Sequence, residues 1–312
     1  MDGFLNVNKP PGMTSHDVVQ RIRAWSGEKR VGHGGTLDPL ATGVLPIALG
    51  YGTRLLEFVS GIKVYRADIE FGKATNTYDA EGVTIAEGDA SDMSESQVRR
   101  ELAAFQGEIE QKPPRFSAIK QHGKPLYEYA RRGLEVAVAP RKVRIFRSTL
   151  LNWHSPVASV EVACSRGTYI RSLAHDIGQM VGCGAHLKAL VRIQDGPFTL
   201  DSSTELDQLQ VSLQGPAPSA GILPMEYVLS AWPWAVLDTM QEARVLQGLP
   251  VPAVQVMLQY DGEISTSPED AQPAEAFFCR AMAASGQMRA VLRFASAVSA
   301  WEPAKVFPPR RS

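Results

Sequence analysis

The chain has 312 residues, 44% of them hydrophobic and 21% charged, a balance that excludes disordered and fibrous classes and leaves room for one large domain and a small one. The net charge of -1 hides an asymmetry: residues 1–200 carry 25 basic and 21 acidic side chains, residues 201–312 carry 7 and 12, and residues 112–147 alone carry 10 and 2. Salt screens charges beyond about 8 Å, so a local excess of this kind attracts phosphates whatever the total, or else forms a solvated face.

In chain order, residues 3–8 read as a short strand and the PPG at 10–12 as a turn, after which Thr14 or Ser15 caps a helix whose Val18, Val19 and Ile22 share one face. A glycine-rich loop follows, then a short helix in GTRLLEFV and a strand in KVYRADIEFG, with Val64, Ala67 and Ile69 apolar amid polar residues. MSESQVRRELAAFQG predicts a helix with a capping box of Ser94 and Gln97, an apolar face of Val98, Leu102 and Phe105, and a terminal Gly107. The basic stretch QKPPRFSAIKQHGKPLYEYARRGLEV opens with two prolines, turns at Gly123 and closes in a short helix holding Tyr127 and Tyr129. Strands at residues 143–153 and 159–164 lead into RGTYIRSLAHDIGQMVG, where a helix begins near Tyr169.

Helices and strands alternate too irregularly for a doubly wound sheet. The expected class is therefore α+β, with a mixed, largely antiparallel sheet flanked by helices. QGPAPSAGILP, at 214–224, coincides with the change in charge and divides a unit of residues 1–225 from a small β-rich module of residues 233–312. Within that module GQMRAVLRF reads as a strand and DGEISTSPEDAQPAE as a loop. No run approaches the roughly 18 apolar residues of a membrane span, and MDGFLNVNKP has no basic region followed by an apolar one, so a cytoplasmic location is expected.

Cys164, Cys183 and Cys279 are too scattered for a disulfide framework. Cys183 and His186 have a zinc-compatible spacing, with His175 and Cys164 as further ligands, but GCGAHLKAL reads better as a glycine-rich turn from helix to strand with Cys183 as a small buried hydrophobe.

The stretch GHGGTLDPLATGVLPIALG holds one carboxylate, Asp38. Pro39 restricts Asp38 to extended or turn conformations, Gly34 and Gly35 permit close backbone approach, and the apolar run at 44–49 lowers the local dielectric. Two uses fit: an Asx-turn before proline, or a nucleophile that needs a cationic partner to stay ionised. A phosphate-binding loop fits poorly, because the G-x-x-x-x-G-K-[ST] pattern is absent.

GHGGTLDPLATGVLPIALG resembles the signature of the TruB family of bacterial tRNA pseudouridine synthases, which modify the uridine at tRNA position 55. LNVNKPPGMTSHDVV, KVYRADIEFGKATNTYDAEG, PPRFSAIKQHGKPLYEYARRG, and CSRGTYIRSLAHDIG with GCGAHLKALVRIQDGPF agree in the same order, together covering most of residues 3–198. The resemblance implies a pseudouridine synthase fold with a PUA-like C-terminal module, and base flipping, glycosidic cleavage, base rotation and rejoining through carbon. It implies Asp38 as the nucleophile, Tyr65 as the active-site tyrosine that stacks on the uracil, and Arg171 as the cation paired with Asp38. By the same resemblance His33 contacts the RNA loop, Tyr169 and Leu190 line the uridine pocket, Lys9 and Asp79 play supporting parts, and the basic segment 112–147 folds over the tRNA T-arm. No metal or organic cofactor is implied. The expected partner is the T-stem-loop of tRNA, with no membrane or DNA, and the chain is expected to act as a monomer. A ribosyl hydrolase releasing free uracil, and a non-catalytic RNA-binding module, share these residues and differ in product.

Overall fold

The computed structural model describes residues 1–309 apart from 60, 118, 122, 135, 217–220, 261, 262 and 266–276. The chain begins with β1 (Gly3–Lys9), α1 (Ser15–Ser26), β2 (Val31–His33), β3 (Thr42–Leu49), a 3-10 helix at Gly50–Phe58, and β4 (Lys63–Phe71). A ribbon of β5 (Lys73–Thr75) and β6 (Thr84–Glu87) precedes α2 (Glu95–Ala104) and β7 (Gly107–Gln111). A small hairpin, β8 (Lys120–Gln121) and β9 (Lys124–Pro125), leads into α3 (Leu126–Arg131). Next come β10 (Arg141–His154), β11 (Val157–Cys164), α4 (Ile170–Val181) and β12 (Ala185–Asp195), then β13 (Phe198–Thr199), β14 (Thr204–Glu205) and α5 (Leu206–Gln214).

Among the described residues ten of these strands form one sheet, ordered β14-β1-β3-β12-β4-β11-β10-β7, with β13 added to β12 and β2 to β3. The pairs β1 with β14 and β3 with β12 run parallel and the rest antiparallel, the mixed sheet expected from the irregular alternation of elements. Helices α1, α2, α4 and α5 bury Ile22, Leu102, Ile177 and Leu209 in one core with Ala67, Ile69 and Phe71 of β4. Those three residues lie at alternate positions, so one face of the strand is apolar as its pleat requires. On the opposite side of β1 and β3, Phe4, Val44 and Ala48 pack with Leu229, Val291 and Phe307 of the C-terminal part. Covering on both sides explains why β3 reads as an unbroken apolar run and not as an alternating one.

From Trp234 onward a second sheet of seven strands, among the described residues, carries α6 (Thr239–Leu246) and closes around buried Trp301. The strand expected in GQMRAVLRF is its member Met288–Ala295. Of the loop expected at 261–275, Glu263–Ser265 instead form a strand paired antiparallel with Leu258–Tyr260; the rest falls outside the described residues, as do four residues of the 214–224 segment and the last three of the chain. No helix among the described residues is long and apolar enough to cross a membrane.

The expected helix caps form, but not always in the expected way. Thr14 caps α1, exchanging hydrogen bonds with Asp17. Ser94 caps α2 by accepting from the Gln97 N–H, but its hydroxyl turns to Ser96 and only half of the expected box forms. Gly107 does not terminate α2, which ends at Phe105 outside the left-handed region; with φ of 97° Gly107 instead opens β7. The basic segment 112–147 is also not one unit. Val143 and Ile145 bury into the core, so Arg141–Arg147 belongs to β10, and its charges form the outer face, with Lys142 on Glu108 (2.9 Å) and Arg147 on Glu161 (2.8 Å). The separable part is the β8–β9 hairpin, with Gly123 at φ 81° in its turn, and α3.

Gly43 has φ of 96°, and a Cβ there would overlap the Arg192 carbonyl of the neighbouring β12. Gly43→Ala is expected to cost about 1–3 kcal/mol by forcing β3 and β12 apart. The check is the urea unfolding midpoint; an unchanged midpoint would show that the two strands separate freely.

Candidate active site

The loop between β2 and β3 is fastened before its acid is placed. The Gly34 N–H donates to the Pro46 carbonyl (2.8 Å), the Gly12 N–H to that of Pro39 (2.9 Å), and the Ala41 N–H to that of Asp38 (3.0 Å). The buried Ser15 hydroxyl accepts from the Leu37 N–H (2.8 Å) and donates to the Leu37 carbonyl (3.1 Å), tying the loop to the first turn of α1. The Ala41 bond closes a backbone turn and not an Asx-turn: the Asp38 carboxylate takes Arg171 as its partner, and its side chain keeps 34% of its surface at the wall of a cavity.

The cation comes from α4. Gln111 at the end of β7 accepts from the Tyr169 N–H (2.8 Å) and donates to its carbonyl (3.0 Å), and Ser172 donates to the Lys112 carbonyl (2.8 Å), which fixes where α4 begins. Arg171, only 4% exposed, then meets Asp38 at two points: Nη2 donates to Oδ1 (3.1 Å), and Nε lies 2.9 Å from Oδ2 as an ion-pair contact without hydrogen-bond alignment. Two further guanidinium hydrogens go to the carbonyls of Thr77 (3.2 Å) and Phe116 (2.9 Å), and Asp79 Oδ2 stands 3.4 Å from Nη1. Asp79 is itself held by the Thr77 hydroxyl (2.6 Å) and the Glu81 N–H (3.1 Å). Burial pushes the Asp38 carboxyl above the usual carboxylate range and Arg171 opposes that push, with Asp79 adding a smaller upward effect. A buried acid and a fixed cation thus compete to set its charge.

Six of the eight residues singled out from the sequence, His33, Asp38, Tyr65, Tyr169, Arg171 and Leu190, line one cavity of about 560 Å³. Tyr65 is 7% exposed, and burial pushes its phenol up to about 12, partly opposed by the charge of Arg192, its partner across the β12–β4 ladder. Burial, with Arg192 next, holds His33 below the ordinary histidine value, so it is neutral at pH 7. Burial likewise raises Tyr169. Lys9 and Asp79 lie behind the cavity wall. Lys9 is fully buried and donates to the carbonyls of Pro10 (2.8 Å) and Pro39 (3.4 Å), bracing the turn that presents Asp38.

Sequence reasoning passed over Lys63, Arg166 and Arg192, which also line the cavity, and Asp195 behind them. Two of them carried a signal. Lys63 is two residues before Tyr65 on β4, and Arg192 two after Leu190 on β12, so the strand period puts each on the face of a pocket residue. Among the described residues no three His, Cys, Asp or Glu side chains are grouped to hold a metal ion. Cys183 is buried at the turn after α4, 3.6 Å from the Met93 sulfur, and His186 Nδ1 lies 3.1 Å from the Lys73 carbonyl.

The architecture is shared with chains of two solved assemblies. A chain in the crystal structure of a Cbf5-Nop10-Gar1 complex superposes with a TM-score of 0.74 at 26% identity, covering 99% of this chain and 85% of that one. A chain in an H/ACA RNP bound to a substrate RNA containing 2'-deoxyuridine gives 0.73 at 25%, covering 99% and 86%. The profile of the TruB family pseudouridylate synthase (N terminal domain) matches residues 23–170, and that of the tRNA pseudouridylate synthase B C-terminal domain matches residues 171–230. Fold and site thus define a pseudouridylate synthase, an isomerase. Tested against individual relatives, the chain is 50% identical to the tRNA pseudouridine synthase B of Gloeobacter violaceus over 72% of its own length and 77% of that protein. It is 41% identical to that of Dehalococcoides mccartyi over 98% and 97%. The chain belongs to the TruB family.

The Lys9 ammonium is pushed down by burial to about 8 from 10.5. Between those values the unfolded chain holds a proton that the folded chain does not, so stability contributed at this site falls as pH drops from 10.5 to 8 and is level below 8. Urea unfolding of Lys9→Met against the native chain should show the difference moving toward the variant over that window. A pH-independent difference would mean that Lys9 stays charged in the fold.

Proposed function

We propose that the chain converts uridine 55 in the T-loop of tRNA to pseudouridine, acting as a monomer, with Asp38 as nucleophile. The observation that carries this reading is the two-point contact of Arg171 with Asp38 at the wall of a cavity whose size is within the roughly 300–1,000 Å³ of small-molecule sites. The tRNA substrate is supported by the relatives, whose names specify it.

A base can enter this cavity only after leaving its stack. In the reaction the N1–C1′ bond breaks, a C5–C1′ bond forms to the same ribose, C5 gives up its proton and N1 gains one, so no oxidant or external group is consumed. The Asp38 carboxylate attacks either C1′, as that carbon gains cationic character, or the pyrimidine ring; each route needs the ionised acid that Arg171 favours. Tyr65 enters as a protonated phenol at neutral pH, a wall on which the uracil stacks, with Arg192 opposite it on β12, more than a resident base. Leu190, Tyr169 and neutral His33 shape the remaining wall. Asp79 orients Arg171 and Lys9 braces the turn.

Residues 1–225 act as the catalytic unit and 233–312 as a PUA-like accessory. The exposed cations of the 112–147 segment supply phosphate contacts to the T-arm, so affinity falls with salt.

Tritium placed at C5 of uridine 55 in a tRNA transcript reports the exchange. The native chain should release it and leave pseudouridine at that position, whereas free uracil, or an untouched uridine 55, would overturn the reading. Asp38→Asn should abolish release with the RNA dissociation constant within about threefold of native, because phosphate contacts dominate affinity. For Arg171→Lys a rate loss of about 100-fold or more is expected, since a point charge does not reproduce a two-point fork; near-native turnover would remove Arg171 from the mechanism.

A further inference from the structure

A second arginine holds the other end of the acid-bearing loop. Arg192 on β12 is fully buried; its Nε donates to the Val44 carbonyl (2.7 Å) and its Nη2 to the Gly35 carbonyl (3.0 Å), three residues before Asp38. Arg192 also stands directly opposite Tyr65 across the β12–β4 ladder. One side chain therefore joins β3 to the Asp38 loop beside the cavity tyrosine. Its Nη1 lies 3.4 Å from Asp195 Oδ2, and Lys63 Nζ donates to that same oxygen at 2.9 Å. Lys63 and Arg192 line the cavity, while Asp195, 1% exposed, stands behind them. It is paired with Lys63 across the β12–β4 ladder, just past an irregularity in β12 between Arg192 and Gln194.

Two buried cations thus share one carboxylate, and among the described residues that carboxylate is the ion-pair partner of both. The backbone packs directly over them: a Cβ on Gly35 would fall 2.6 Å from Lys63 Nζ and 3.3 Å from Arg192 Nη1. Removing the negative charge leaves two like charges crowded under Gly35, which separate either by a swing of Lys63 into the cavity it lines or by a shift of Arg192 off the Gly35 and Val44 carbonyls; both disturb the wall beside Tyr65. Asp79 stands behind Arg171 in the same way, so each arginine that holds the Asp38 loop is backed by its own buried acid.

We propose that Asp195 is a positioning residue of the isomerase: acting through Arg192 and Lys63, it sets the place of the Gly35–Asp38 segment and of the wall beside Tyr65 without touching substrate. This rests on the reading of the cavity as the uridine site. Neither profile match nor the resemblance gives Asp195 a role; what singles it out is its placement between two cavity cations.

The test compares Asp195→Asn, which keeps the shape and loses the charge, with Asp195→Glu, which keeps the charge and adds a methylene. Single-turnover tritium release at saturating tRNA, the RNA dissociation constant and the melting temperature are read for each. Positioning predicts that Asn slows release by about 100-fold with RNA affinity within threefold of native, and that Glu recovers at least tenfold over Asn despite its worse fit. Should Asn yield no folded protein, a folded Glu variant within tenfold of the native rate, at native affinity, sustains the proposal. Native-like release by Asn overturns it, and so does a Glu variant no faster than a folded Asn one. A parallel loss of RNA affinity in Asn would make the cluster a binding element, and failure of both variants to fold would make Asp195 a stability residue; either result also overturns it. Failure of the native chain to make pseudouridine is a separate result, and would fall on the function instead.

Discussion

A carboxylate in an apolar wall tends to take up a proton unless a cation stands beside it, and most of this molecule's site follows from that constraint. Arg171 meets the requirement from a helix 133 positions further along the chain. The guanidinium cannot itself be left half satisfied in a buried place, so it draws in the Thr77 and Phe116 carbonyls and Asp79, and through them two more loops. Three separate segments converge on one planar group. The position of α4 is then constrained in turn, which explains why both ends of its first turn are fastened by polar side chains, Gln111 and Ser172, and not by packing alone.

What could be read from the sequence was what is local. Asp38 before Pro39, the glycines around it, the Thr14 cap and the alternation in β4 each act over a few residues, and they appear in the fold as expected. The failures share one cause: a residue type with two uses. Gly107 permits a positive φ at a helix end or at a strand entry, and the chain uses the second. Arg144 and Arg147 fit both a basic insertion, by charge, and the strand expected from residue 143; Val143 and Ile145 bury, and the strand forms, beginning two residues earlier at Arg141. The ion pairs of Arg171 with Asp38 and Asp79, and of Lys63 with Asp195, were invisible to spacing because their partners lie about a hundred residues apart. Pairing Asp38 with Arg171 needed the family resemblance, whereas placing Lys63 and Arg192 at the cavity needed only the strand period applied to charged residues.

β3 shows how the two halves of the molecule bear on the site. Its inner residues face the helical core and its outer ones face Val291 and Phe307 of the C-terminal part. The strand that follows the Asp38 loop is therefore clamped between layers, and Arg192 grips its Val44 carbonyl from the side. An apolar strand buried on both faces is rigid because its alternatives would all expose hydrocarbon. A loop anchored to such a strand can hold a charged side chain at a cavity wall, where a mobile loop would let it turn away to water.

The net charge near zero then conceals a division of labour by depth. The buried charges, Lys9, Lys63, Asp79, Arg171, Arg192 and Asp195, are paired or carbonyl-bound, and they contribute little to the field outside because their partners lie within a few ångströms. The exposed basic side chains between 112 and 147 have only partial compensation, as at Lys142 with Glu108, and these are the charges an approaching polyanion meets. Surface ion pairs of this kind are weak, about 0–1 kcal/mol, and give way to phosphate. Buried pairs do not, because separating them leaves a desolvated charge behind. An acidic C-terminal part lowers the total charge without touching either population, and so the sum over the whole chain carries less information about an RNA partner than the depth at which each charge sits.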